Sequence, residues 1–130
     1  MAARESLLPD DWHRRGEADL RAAEILLEND GDMQVAAALI QQGVEKHLKG
    51  WLLSKGWRLV RMHDLQRLLD DAVALDPTLE RYYGLCERLT AFYYVDRYPF
   101  VAEPPKAIVV EEALGEALDF VDSLMRQKGP

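Results

Sequence analysis

The feature that most constrains the fold is a long apolar stripe with helical spacing in residues 33–55. Within this range apolar residues recur at intervals of three and four, as they do on one face of an α-helix. The stripe consists of Met33, Ala36, Ala37, Ile40, Val44, Leu48, Trp51 and Leu52. Gly56 follows where a helix commonly ends in a left-handed residue. We expect this segment, the longest and most apolar, to be the central helix of a bundle.

Further segments carry the same helical period and are separated by Gly, Pro and Asp. They are predicted at about 11–28, 64–75, 77–95 and 106–127. No segment shows sustained alternation of apolar and polar residues, and short connections favour antiparallel packing of neighbouring helices. The sequence therefore predicts an all-α, antiparallel up-and-down helical bundle of four to five helices. We expect a single domain over residues 1–130, with its core at about 12–125.

The sequence gives no support for a disulfide, a metal site or a cofactor. Cys86 is the single cysteine and lies among apolar residues at helical spacing, which predicts a buried, unreactive thiol. His13 falls on the charged side of the first predicted helix, and His47 falls away from the apolar stripe of the second. Because histidines and carboxylates do not occur together at ligand spacing, we predict neither a metal ion nor a cofactor.

A basic island interrupts this acidic chain. From Lys46 to Arg67 there are six lysines and arginines and one acid, Asp64, whereas the whole chain has a formal net charge of -7. The six cations are Lys46, Lys49, Lys55, Arg58, Arg61 and Arg67. Either these side chains are simply exposed to solvent on a helix face and a loop, or they form a surface that binds an anion.

Composition also limits the setting in which the protein works. The amino terminus has no apolar core of signal-peptide length, and no apolar run approaches the ~20 residues that cross a bilayer. These features predict a cytoplasmic protein without a membrane partner. The net negative charge argues against generic DNA binding, which depends on neutralising many phosphates.

Four motifs in the middle and late parts of the chain resemble those of one protein family. They are Glu45-Lys46-His47-Leu48-Lys49-Gly50-Trp51-Leu52, then Gly56, then His63-Asp64-Leu65, and finally Asp96-Arg97-Tyr98-Pro99. In this order, behind an alanine-rich stretch at 36–38, they resemble HEPN domain proteins (higher eukaryotes and prokaryotes nucleotide-binding). The likeness covers about residues 12–125 and is greatest to the small, stand-alone prokaryotic branch.

The resemblance implies both a fold and a set of partners. Members of this branch are helical bundles that pair as homodimers and are often encoded beside a minimal nucleotidyltransferase, in systems that resemble toxin–antitoxin modules. We therefore expect a homodimer that associates with a minimal nucleotidyltransferase and binds a nucleotide or RNA.

The resemblance also raises an enzymatic alternative, a metal-independent endoribonuclease toxin. Many HEPN proteins carry an arginine, four to six intervening residues and a histidine, which stabilise charge on the scissile phosphate and move protons. The late arginine here is Arg97, and no histidine follows it at that distance. The spacing does occur at Arg58 and His63, in the early connector. The missing late histidine favours a protein that is not an enzyme.

Two residues near the carboxyl end are candidate ligand contacts, Arg97 and Tyr98. Three prolines predict that residues 96–105 form an extended loop. Arg97 either anchors this loop by pairing with Asp96 or binds phosphate through its planar guanidinium. The family motif places an arginine here, which favours the second role.

Three further candidates lie in the basic island, namely Lys46, His63 and Asp64. His63 either docks the connector against the bundle or contacts the ligand, and Asp64 is also suited to cap the following helix. Glu45 lies four residues before Lys49 and is expected to pair with it, which leaves Lys46 freer to meet an anion.

The fourth predicted helix carries more aromatic surface than a small bundle needs to cover. Phe92 and Tyr93 continue its apolar stripe, and Tyr83 and Tyr94 lie beside it. Because exposed patches of this kind usually mark an interface, we expect the homodimer to form partly through this helix.

An antiparallel bundle also brings alternate helix ends together. We therefore expect Arg97, His63 and Lys46 to converge on one concave, positively charged site. That site is predicted to hold a phosphate-bearing ligand without cutting it.

Overall fold

The computed structural model describes residues 5–97 and 103–126, and the side chains of residues 94–97 lie outside that description. The α-helices of this part of the chain are α1 (Pro9–Glu28), α2 (Met33–Ser54), α3 (Leu65–Leu75), α4 (Tyr83–Arg97) and α5 (Ala107–Arg126). A short 3-10 helix, Pro77–Tyr82, precedes α4. No strand occurs in the described ranges, so the predicted all-α helical bundle is confirmed.

The helix boundaries follow from local chemistry at their ends. The Asp32 carboxylate accepts a hydrogen bond from the backbone N–H of Val35 and so caps the start of α2. Asp64 caps α3 in the same way by accepting from the backbone N–H groups of Gln66 and Arg67, as predicted. Gly56, with a φ of 87°, takes up the left-handed conformation just after α2.

Helix α2 lies at the centre of the bundle, as its apolar stripe predicted. It packs against each of the other four α-helices. Trp51 is 2% exposed, and Ile40, Val44, Leu48 and Leu52 are fully buried. Cys86 is also buried, which confirms its predicted burial, and burial raises the pKa of its thiol to about 12.

The region from Pro77 to Arg97 differs from the continuous helix predicted for residues 77–95. The chain first forms the 3-10 helix, and α4 then extends to Arg97. The prediction that the extended loop starts at residue 96 is therefore wrong. Loop residues downstream do not fix the turn at which a helix ends, so α4 extends two residues beyond the predicted end at residue 95. Residues 98–102 lie outside the described ranges.

Helices α1 and α2 approach each other closely along a seam that contains Gly16 and Gly43. A Cβ atom added at Gly16 would lie 3.0 Å from the carbonyl oxygen of Gly43, and one added at Gly43 would lie 3.1 Å from that of Gly16. The two backbones therefore touch where both side chains are absent. We refer to this contact, together with the buried polar side chains beside it, as the α1–α2 seam.

Two histidines are buried in the α1–α2 seam. His13 and His47 are 6% and 4% exposed, and their Nδ1 atoms lie 2.8 Å apart in a hydrogen bond. The prediction that both face away from the core is wrong, because glycine lets the helices approach until polar residues beside the stripe are also enclosed. Burial, and then the charge of His13, lower the pKa of His47 to about 4.

Candidate ligand-binding site

The carboxylate of Glu45, on α2, is the centre of the candidate site. It is 7% exposed and has three side-chain neighbours within hydrogen-bonding range. Gln41 Nε2 lies 3.2 Å from Oε1, whereas Lys49 Nζ and His63 Nδ1 lie 3.3 and 3.0 Å from Oε2. One buried carboxylate thus joins two turns of α2 to residues 55–64, the segment between α2 and α3 that we call the connector.

The predicted pairing of Glu45 with Lys49 is confirmed, but it is buried and not a surface contact. The side chain of Lys49 is 1% exposed, and its ammonium lies 5.3 Å from the centre of the Trp12 ring. Because an isolated charge is expensive to bury, the pairing offsets part of the cost of enclosing both groups. Lys49 therefore serves the fold and is not available to a ligand.

Lys46 was expected to be free to meet an anion, and this prediction is wrong. Its ammonium forms an ion pair with Asp19 of α1, whose side chain is only 10% exposed. The rule for pairs within one helix could not reveal a partner that lies twenty-seven residues earlier in the chain. Lys46 still lines the candidate site, and its contact with a ligand stays a prediction.

His63 is the exposed end of this polar network. Its side chain is 67% exposed, whereas that of Glu45 is 9% exposed. Because a carboxylate only accepts hydrogen bonds, His63 Nδ1 donates the proton between them and Nε2 is left for other contacts. In the neutral ring Nε2 is an acceptor, and in the protonated ring it is a second donor.

Two adjoining clefts open beside His63, and together we call them the His63 cleft. The first has a volume of about 360 Å³ and the second of about 250 Å³. Gln41, His63 and Tyr93 line both of them, so α2, the connector and α4 each supply one wall. Asp64, Gln66 and Thr90 complete the first cleft, and Ala38, Gln42, Glu45 and Lys46 complete the second.

The His63 cleft brings together the three predicted site residues of the basic island, Lys46, His63 and Asp64. Arg97 is the last residue of α4, one helical turn beyond Tyr93 on the cleft wall. The side chain of Arg97 and all of Tyr98 lie outside the described part of the chain, so their contact with a ligand stays a prediction.

Among the lining residues that the sequence did not indicate, three matter most to the cleft: Glu45 as its organising group, and Gln41 and Tyr93, which line both of its parts. A signal for the first two was present. Gln41, Glu45 and Lys49 form a row of polar residues four apart in the most apolar helix of the chain. Residues at this spacing share a helix face, so the row indicates a buried polar network.

A groove of about 420 Å³ between α4 and α5 is larger than either cleft beside His63. Several of its polar groups, however, already have partners across the groove. Arg88 pairs with Glu116, and the Tyr82 hydroxyl donates to Asp119 over 2.8 Å. These contacts hold α4 and the preceding 3-10 helix against α5, and they leave the His63 cleft as the better candidate for a ligand site.

Comparison with known proteins identifies the family. The profile of the HEPN domain family matches residues 9–128, nearly the whole chain, and the protein therefore belongs to the HEPN domain family. The search of curated proteins and the search of solved structures gave no match. Among the described residues, no helix is long and apolar enough to cross a membrane.

Proposed function

We propose that this HEPN domain protein binds a phosphate-bearing ligand, a nucleotide or RNA, in the His63 cleft and does not cut it. The observation that carries this proposal is the pairing of an exposed imidazole with a buried carboxylate. His63 would turn freely on the surface if Glu45 did not hold its Nδ1 at 3.0 Å. A fixed orientation lowers the entropy lost when a ligand binds, which suits His63 to recognition.

The chemistry of the cleft fits such a ligand. With Nδ1 held by Glu45, Nε2 of His63 can accept from a ribose hydroxyl or, when protonated, donate to a phosphate oxygen. Tyr93 also lines the cleft, and aromatic side chains are groups on which bases stack. Lys46 adds positive charge, although Asp19 already neutralises part of it.

Arg97 and Tyr98 complete the proposed site from the end of α4. A guanidinium at this end of the cleft would bind phosphate through two parallel N–H donors, whereas Lys46 acts as a point charge. The position of Arg97 one turn after Tyr93 supports this assignment. Asp64 is proposed to act at the rim while it caps α3.

We also propose that the protein works as a homodimer with a minimal nucleotidyltransferase, in a toxin–antitoxin-like system. Membership of the HEPN family supports this, together with the aromatic residues of α4. Light scattering of the purified protein at micromolar concentration should give the mass of a dimer. A monomer under those conditions would contradict the proposed dimer.

A metal-independent endoribonuclease is the second candidate, and one observation favours it. An imidazole whose Nδ1 is held by a carboxylate is the arrangement that many general bases use, and His63 has it. Arg58 stands five residues earlier in the same connector and is exposed. Such an enzyme would need Arg58 to stabilise the scissile phosphate while His63 moves the proton.

The test combines binding with cleavage. Fluorescence anisotropy would measure the affinity of labelled guanosine and adenosine monophosphates and of a short labelled RNA for the wild type and for Arg97→Ala. We expect at least about a tenfold loss in the variant, equivalent to about 1.4 kcal/mol. Equal affinities would exclude Arg97 from the site. RNA cleavage that persists in chelator and disappears in His63→Ala would establish the ribonuclease instead.

A further inference from the structure

Two uncharged polar side chains, Gln41 of α2 and Thr90 of α4, line the part of the His63 cleft that has a volume of about 360 Å³. Gln41 is 3% exposed, and Thr90 is partly buried. Each of them makes a hydrogen bond within the protein, and that bond uses a proton of the side chain. These internal bonds determine what the two residues can offer to a ligand.

The amide of Gln41 is held in one orientation by Glu45. Its Nε2 lies 3.2 Å from Glu45 Oε1, and a carboxylate only accepts hydrogen bonds, so the NH₂ group must be the end that faces Glu45. No group among the described residues donates to the amide oxygen. That oxygen is not fully enclosed, in contrast to Trp51 Nε1, and so it is accessible from the cleft. Because the amide donates to a charged group, its oxygen is polarised and accepts more strongly.

Thr90 is also restricted to accepting. Its hydroxyl donates to the backbone carbonyl of Cys86, four residues earlier, over 2.8 Å. A hydroxyl has one proton, so Oγ1 can only accept from any further group. Asp64, which lines the same part of the cleft, caps α3 through a carboxylate that likewise only accepts. Acceptors from α2, the connector and α4 thus line one cleft, and they suit a ligand group that donates hydrogen bonds.

We propose that Gln41 and Thr90 determine specificity by accepting hydrogen bonds from an amino group of the ligand, so that the base in the His63 cleft is adenine or cytosine. This inference rests on the proposed function, since it specifies the ligand of the same site. The exocyclic amino groups of adenine and cytosine donate hydrogen bonds, whereas guanine and uracil carry an oxygen at the corresponding ring position. That oxygen would face two acceptors, which would repel it and would themselves stay unpaired.

Isothermal titration calorimetry with two pairs of nucleotides tests this specificity. Adenosine monophosphate is compared with purine riboside monophosphate, which lacks only the amino group, and cytidine monophosphate is compared with uridine monophosphate. We expect the wild type to bind the amino-bearing member of each pair at least about tenfold more tightly, since the other member leaves polar groups unpaired. Equal affinities within both pairs would overturn the inference and leave the nucleotide site standing. If none of the four nucleotides binds, both proposals fail.

Two variants remove the proposed acceptors with little change of shape. Thr90→Val keeps the branched side chain, and Gln41→Met keeps a side chain of similar length. Each should lower the preference for adenosine monophosphate over purine riboside monophosphate at least about threefold, because only the first ligand loses a hydrogen bond. If both ligands lost affinity by the same factor, the two residues would merely shape the cleft and the inference would be wrong. Thr90→Val carries this test alone if Gln41→Met does not fold.

The matched control is Gln42→Met, the same substitution at the next residue. Gln42 is exposed and lines only the other part of the cleft, so the preference for the amino-bearing nucleotide should stay within about twofold of the wild type. A free amine is another source of N–H donors, and spermidine serves as its probe. We expect spermidine not to displace adenosine monophosphate. Displacement at equal concentration would overturn the inference, because the acceptors would then suit an amine and not a base.

Discussion

The α1–α2 seam and the His63 cleft contain similar side chains in opposite settings. In the seam, His13 contacts His47, and both are buried beside glycines. In the cleft, His63 is two-thirds exposed and only its Nδ1 is held, by Glu45. The two histidines of the seam join α1 to α2 through a buried hydrogen bond. His63 is instead exposed to solvent, and its Nε2 remains available for other contacts.

The two regions show that residue type alone does not decide whether a side chain is buried or exposed in this protein, whereas the packing around each group does. Lys49 and Glu45 neutralise each other within the bundle, and Lys46 is neutralised by Asp19. Glu45 belongs to both regions, because the carboxylate that pairs with buried Lys49 also orients exposed His63. If this comparison is right, substitutions in the packed interior should change stability most, and substitutions in the cleft should change binding most.

The largest effect on stability is expected in the core beside the seam, for Trp51→Ala. Trp51 lies in the last turn of α2 and is 2% exposed, so its truncation removes a large buried surface and leaves a cavity. We expect a loss of about 3–5 kcal/mol in the free energy of unfolding. Chemical denaturation followed by circular dichroism would measure it. A loss below about 1 kcal/mol would mean that α2 is not the central helix.

The burial of Trp51 was predictable from the sequence, and so was the all-α architecture. Helices that each carry an apolar stripe bury those stripes most simply by packing them against one common core. Asp64 as a helix cap and Gly56 as a helix end were also predictable, because both depend on local backbone chemistry. Local rules succeed where the relevant partner is a near neighbour in sequence.

The same rules failed where the partner was distant. His13 and His47 were assigned to exposed faces because the stripe alone defined the core, whereas the close approach at Gly16 and Gly43 widened it. Lys46 met Asp19 of another helix for the same reason. The basic island indicated the part of the chain in which the His63 cleft lies, but the contacts around Glu45 depend on the packing of α2 against the segment before α3.

The second prediction concerns the pH dependence of the seam. His47 has its pKa lowered from 6.5 to about 4, by burial first and then by the charge of His13. The unfolded chain therefore binds more protons in this window, so stability is fully present above about pH 6.5 and falls as the pH drops toward 4. The total loss from this group should be about 3 kcal/mol.

Unfolding free energies measured between pH 6.5 and about pH 5 would test this, in a range where few carboxylates titrate. The wild type should lose more than about 1 kcal/mol per pH unit. His47→Gln removes the titrating ring and should give a distinctly shallower slope. Equal slopes for the two proteins would show that His47 is not the group responsible.

The third prediction compares two helical glycines. A Cβ at Gly43 would lie 2.7 Å from Leu20 Cγ, whereas one at Gly115 on α5 would meet no atom within 4 Å. Alanine favours a helix over glycine by about 1 kcal/mol, so Gly115→Ala should stabilise the protein by up to that amount. Gly43→Ala gains the same preference but overpacks the seam, and should be destabilised by about 1–2 kcal/mol. Thermal unfolding of both variants measures the difference, and equal shifts would show that the seam tolerates a methyl group.

The smallest change in stability, with the largest change in binding, is expected for His63→Ala. Its side chain is 67% exposed, and Glu45 keeps its contacts with Lys49 and Gln41 when the imidazole is removed. We therefore expect a loss of less than about 1 kcal/mol in unfolding free energy. Affinity for the labelled RNA should nevertheless fall at least about tenfold, because the group that Glu45 orients toward the cleft is gone.

Arg21→Ala is the matched control for His63→Ala. Arg21 is 63% exposed and pairs with Glu24 on α1, so its removal also breaks one side-chain contact with a carboxylate at the surface. It should change stability by a similar small amount and leave RNA affinity unchanged. If His63→Ala lost several kcal/mol of stability and kept its affinity, His63 would belong with the buried histidines of the seam. The contrast between the two regions would then be wrong, because the Glu45–His63 contact would serve only to fasten the connector to α2.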